Sequence, residues 1–125
     1  MLLNFDGEKP IYIQLAESIE DNILKGIFEE ESQIPSTTEM AVSLQINPAT
    51  AAKGVSLLTD EGIVYKKRGL GMFVSTGAKR IILQKRRAAF YRDYVSALLE
   101  EAAKLGIGRN ELIRMIERSE DDERN

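Results

Sequence analysis

Apolar side chains recur every four residues near the start of the chain: Ile11, Leu15, Ile19, Ile23 and Ile27, with Tyr12, Ala16 and Leu24 beside them. That period marks one buried helix face. It predicts a helix over about residues 10–26, opened by Pro10 and stopped at Gly26. Ser36 and Glu39 then fit a reciprocal capping box, in which each side chain satisfies a backbone N–H of the other residue. A short helix over about 37–45, with Met40, Ala41 and Leu44 as its apolar face, follows from it. Asn47 is a good N-cap and Pro48 a good first helical residue. The next helix spans about 48–61, buries Ala51 or Ala52, Val55 and Leu58, and stops at Gly62. Two short helices joined by a few residues form a helix-turn-helix.

Period two replaces period four after Gly62. Ile63 to Lys67 and Met72 to Ser75 read as strands around the turn Arg68-Gly69-Leu70-Gly71. A hairpin in that place is a wing. Thr76-Gly77 marks a boundary, and a long helix is expected from about 78 to 105, roughly 40 Å at 1.5 Å per residue. Ile81, Gln84, Ala88, Tyr91, Val95, Leu98, Ala102 and Leu105 form a heptad-like row along it, widened by Phe90, Tyr94 and Ala97. After Gly106 and Gly108 a last helix, about 109–118, carries Leu112, Ile113 and Ile116, and the tail SEDDERN is expected to fray. The fold class is therefore mainly α with a small β-hairpin wing. Residues 1–76 are a winged helix-turn-helix domain and residues 77–125 a two-helix segment. The stripe Phe90, Tyr91, Tyr94, Val95, Leu98, Ala102 and Leu105 packs either on its own domain or, as the spacing and aromatic content favour, on a second copy.

Composition removes whole classes of chemistry. The 125 residues include no His and no Cys. Imidazole base catalysis, thiolate chemistry and His- or Cys-ligated metals are thereby excluded. Ser36, Ser43, Ser56 and Ser75 have no base to activate them, and Lys53 has no readable apolar pocket for Schiff-base chemistry. Neither a catalytic set, a metal nor a cofactor is implied. Glu29-Glu30-Glu31 and Asp121-Asp122-Glu123 lack the spacing of a calcium loop and read as solvated surface. Gly69-Leu70-Gly71 lacks the third glycine and following helix of a phosphate loop and reads as a hairpin turn. The apolar runs are too short to span a membrane, and the N-terminus lacks the marks of a signal peptide; a cytoplasmic location is expected.

Charge changes the picture once more. The net charge is −3, yet residues 62–92 hold nine basic side chains and no acidic ones. A concentrated basic segment attracts phosphate even in an acidic chain. Ser36, Thr37 and Thr38 place hydroxyls and free N–H groups at a helix N-terminus, where phosphate binds. Asn47, Ala49, Thr50 and Lys53 lie on the first turns of the second helix, where base edges are read. Lys66, Lys67 and Arg68 arm the wing, and Gly69 and Gly71 let its tip approach a groove. Each residue has an ordinary structural reading too, since Ser36 and Asn47 cap helices anywhere. It is the order of elements that points to a double-stranded DNA operator as partner. A winged helix that dimerises but has lost DNA binding is the competing class.

These residues resemble the GntR family of bacterial transcription regulators. The resemblance covers about residues 8–75: Pro10-Ile11-Tyr12-Ile13-Gln14, Ile34-Pro35-Ser36, Asn47-Pro48-Ala49-Thr50, Glu61-Gly62-Ile63 and Gly69-Leu70-Gly71-Met72-Phe73-Val74. The Asn47-Pro48-Ala49-Thr50 run resembles the YtrA-type branch, whose short two-helix C-terminal segment dimerises; the length leaves no room for the larger effector domains of other branches. The resemblance implies a homodimeric repressor, its effector unknown. The family commonly carries Arg at the positions of Thr38 and Pro48, both DNA-contacting, and commonly Ala at that of Gly54. Glycine inside a helix costs about 1 kcal/mol relative to Ala. Fewer reading charges shift affinity toward the wing and the basic start of the long helix.

Overall fold

The computed structural model describes residues 1–124, with side chains through Arg118. Its elements are α1 (Ile11–Leu24), α2 (Thr37–Leu44), α3 (Pro48–Asp60), β1 (Val64–Lys67), β2 (Gly71–Val74), α4 (Ala78–Phe90), a π turn (Tyr91–Val95), α5 (Ser96–Lys104) and α6 (Arg109–Arg124). The winged helix expected from the pattern is present. The chain forms two compact units, Met1–Lys85 and Arg86–Asn125.

In the first unit the period-four residues of α1 become core. Leu15, Ile19 and Ile23 are fully buried with Ala51, Leu58, Ile63 and Val74, each large side chain contributing about 1.5–3 kcal/mol of burial. Ile27, counted in the same row, is instead 64% exposed, because the helix has ended and Gly26 has turned at φ +81°. Ala51 is buried and Ala52 exposed, which settles the alternative left by the sequence. The α2–α3 turn closes with Gln45 left-handed at φ +55° and the Ile46 N–H donating to the Ala41 carbonyl at 3.0 Å.

β1 and β2 pair antiparallel, with Val64 opposite Val74 and Lys67 opposite Gly71. A third extended stretch lies along β2. Glu31 N–H donates to the Val74 carbonyl, Val74 N–H to that of Ser32, and Ile34 N–H to that of Met72. This stretch, to which the sequence pattern assigns no element, adds one isolated antiparallel bridge, Gln33 opposite Phe73, beside the two-stranded sheet.

The first unit extends past Thr76-Gly77 into α4, whose Ala78 and Ile82 are fully buried in its core. Lys85, at the end of the unit, makes ion pairs with Glu20 of α1 and with Glu61 at the C-terminus of α3, the latter at 2.6 Å. Glu20 is 2% exposed, so this lysine neutralises a buried carboxylate.

The long helix is not one regular α-helix. Its middle widens into the π turn, where Ser96 N–H donates to Tyr91 O, five residues back. A π turn holds an extra residue, so the row from Ile81 to Leu105 does not run as one straight seam. In the second unit Ala102 is 6% exposed within its own chain, where Ile107 N–H folds back to its carbonyl. It is therefore not part of an open stripe. The last helix, expected to end near 118, runs to Arg124; Asn125 lies outside the described residues.

Candidate nucleic-acid interface

The capping box forms as the sequence requires. The Ser36 hydroxyl accepts from Glu39 N–H at 3.0 Å, and a Glu39 carboxylate oxygen accepts from Ser36 N–H at 3.2 Å. Ser36 and Thr37 are half-buried and Thr38 is exposed at this end of α2. The Glu39 carboxylate shares it, so this end offers hydroxyls and N–H groups rather than net positive charge.

On α3 the Asn47 side chain accepts from Ala49 N–H at 2.7 Å. Its oxygen is committed to the cap, which leaves the NH₂ group to donate outward. The exposed face of the helix runs through Ala49, Ala52, Lys53 and Ser56, while Thr50 is half-buried. In the sequence Ala52 is weighed only as a core residue and Ser56 only as a serine without a base, although their spacing of three and seven from Ala49 is the signal of a shared face. The Lys53 ammonium lies 4.0 Å from the centroid of the Tyr12 ring. Such a cation–π contact holds the charge against α1.

The three wing cations differ in setting. Lys67 stacks its ammonium 4.3 Å from the Phe73 ring centroid, whereas Lys66 and Arg68 are exposed and, among the described residues, neither meets a carboxylate. At the tip Gly69 has φ +79° and Gly71 φ +119°, values that favour glycine. Leu70 between them is 64% exposed.

The acidic run Glu29-Glu30-Glu31 does more than face solvent. The Glu30 carboxylate accepts from Gly77 N–H at 2.8 Å and from Lys79 N–H at 3.2 Å, at the N-terminus of α4. Those backbone hydrogen bonds, led by the one from Gly77, hold its pKa below the ordinary 4.5. The basic start of the long helix is thus already capped by an anion and is a poor place for a phosphate. Tyr65 donates its hydroxyl to Glu31 at 2.8 Å, and this bond raises the phenol above its ordinary 10.0. These contacts span 47 and 34 residues, and no local pattern signals them.

Residues 11–74 match the family of bacterial regulatory proteins described as gntR. The chain belongs to the GntR family. It is 28% identical over 112 residues to an uncharacterized HTH-type transcriptional regulator, YhcF, of Bacillus subtilis, covering 90% of this chain and 91% of that one. It is 30% identical over 98 residues to the HTH-type transcriptional repressor YtrA of the same organism, covering 78% and 75%. Among solved structures it is similar to a GntR-family transcriptional regulator from Bacteroides thetaiotaomicron, at a TM-score of 0.74 and 35% identity, over 91% of this chain and 99% of that one. This GntR family is one of transcription regulators, not enzymes. Among the described residues no helix is long and apolar enough to cross a membrane.

Proposed function

We propose that this GntR-family chain is a cytoplasmic, homodimeric repressor that binds a specific duplex operator. The observation that carries the reading is the shared exposure of three features. These are Thr38 at the start of α2, the Ala49–Ala52–Lys53–Ser56 face of α3, and the wing cations Lys66 and Arg68. Helix-turn-helix proteins place the second helix of the motif in the major groove and steady it with phosphate contacts. Residues 1–76 bind DNA in this reading and residues 77–125 join two protomers. Support for the second role is the exposed apolar surface of Phe90, Tyr91, Tyr94, Leu98 and Leu105, with Ile113 and Ile116 on α6. Phe90 and Tyr94 already stack, their ring centroids 5.6 Å apart. Two linked recognition helices would then read a pseudo-palindrome.

A second reading, an interaction module that dimerises without binding DNA, is favoured by one feature. Thr38 and Pro48 stand where the family commonly carries Arg. Fluorescence anisotropy on random and selected duplexes across a salt series separates the two. Salt-dependent binding that is tighter on the selected duplex supports the operator reading, and no binding to any duplex at low salt supports the module. Light scattering should give a dimer at micromolar concentration and a monomer for Leu98→Glu, which would bury a carboxylate in the seam. A monomeric wild type overturns the dimer.

A further inference from the structure

The Gln33 side chain reaches across the wing. Its amide nitrogen donates to the Leu70 carbonyl at 2.7 Å, a contact between residues 37 apart in sequence. The same nitrogen fills the space beside Gly71, where an added Cβ would come within 2.6 Å of it. Gln33 is exposed and contributes nothing to the core, so its side chain is not there for burial. What it holds is the turn Arg68-Gly69-Leu70-Gly71. The turn's own Leu70 N–H to Lys67 carbonyl bond, at 2.9 Å, closes it locally. The Gln33 bond ties it to something outside the hairpin. That outside point matters, because Gln33 precedes Ser36 by three residues and Ile34 N–H is fastened to the Met72 carbonyl at 3.0 Å.

We propose that Gln33 is the positioning residue of the wing. It fixes the tip cation Arg68 at a set distance from the phosphate-binding end of α2, so that both reach one DNA backbone at once. The inference rests on the operator reading above and assigns it a residue that touches no DNA itself. Without the amide the hairpin still forms, since its register is set by the β1–β2 pairing. Its tip then samples several positions, and the Arg68 contact is made only part of the time.

The test uses the full chain with Gln33→Met, which keeps length but has no donor, beside Arg68→Ala and the double variant. Gln33→Met should leave the thermal midpoint close to wild type and weaken duplex binding about fivefold, the worth of one hydrogen bond. It should make the slope of log affinity against log salt shallower, by up to about 0.9 for each lost phosphate contact. In the double variant Gln33→Met should add little to Arg68→Ala, because it acts through that side chain. Nitrogen-15 relaxation of Gly69, Leu70 and Gly71 in the free protein should show a more mobile turn in Gln33→Met. An unchanged affinity and slope, a fully additive double variant, or an equally ordered turn would each overturn the proposal. A wild type that binds no duplex would instead remove the operator reading.

Discussion

Gly54 of α3 lies directly against the main chain of α1 at Tyr12. A Cβ at residue 54 would stand 2.8 Å from the Tyr12 carbonyl oxygen and 3.2 Å from a Leu15 methyl. The glycine that looks like a weak helix residue is therefore what lets the two helices approach. Gly54→Ala should destabilise the protein by about 1–2 kcal/mol, overpacking outweighing the gain of about 1 kcal/mol in helix propensity. Urea unfolding of the variant checks this; a stabilised variant would mean the helices part at no cost.

Lys85 and Glu20 give a second expectation. Lys85→Met removes one ammonium partner from a nearly fully buried carboxylate. A loss of about 2–3 kcal/mol is expected. Glu20→Leu combined with Lys85→Met should recover part of it, because an apolar pair removes the desolvation cost of the carboxylate. Glu61 remains exposed enough to be hydrated in both variants. A double variant no better than Lys85→Met would contradict the expectation.

Acid should reveal Glu30. Its folded pKa is depressed below 4.5 by the Gly77 and Lys79 backbone donors. A depressed carboxylate contributes stability above its unfolded pKa and loses it as pH falls through the folded value. The difference in melting temperature between wild type and Glu30→Gln should therefore hold constant from neutral pH to about 5.5. It should then shrink as pH is lowered through and below 4.5. A difference independent of pH would show that the carboxylate's charge is not what caps α4.

The exposed face of α3, proposed above to read DNA, can be probed without unfolding anything. Ala52→Glu adds a carboxylate to a solvated position and should leave stability within about 0.5 kcal/mol. It should still weaken binding to every duplex, through repulsion from phosphate. Replacing Lys66 and Arg68 by Ala should make the salt slope shallower by up to about 3–4 units per dimer, if all four side chains touch phosphate. Anisotropy across a salt series reads both; slopes equal to wild type would remove the wing from the interface.

What the sequence carried was whatever is written locally. Ser36 with Glu39, three residues on, and Asn47 with the adjacent Pro48 announce helix starts, and both caps form. The hairpin follows from two glycines between alternating runs. The rest depends on distance along the chain. The Glu30 cap on α4, the Tyr65–Glu31 bond and the Gln33–Leu70 bond are pairings whose members have no neighbouring pattern to betray them. The π turn escaped for another reason: an apolar row spaced three and four is compatible with an α-helix throughout, and a single wide turn changes the path without changing the residue types. Lys53 and Lys67 were legible as cations, but their placement on Tyr12 and Phe73 was not.

The contacts made by Glu31 and Gln33 have a consequence for anyone who would transplant the wing. A chimera that moves residues 64–74 onto another winged helix carries the hairpin and its cations but leaves behind the two side chains that anchor its base and its tip. The graft boundary set by secondary structure is thus not the boundary of the working part. The smallest transferable piece is discontinuous, and it includes the connector from Glu31 to Ile34, whose backbone and side chains bond the hairpin.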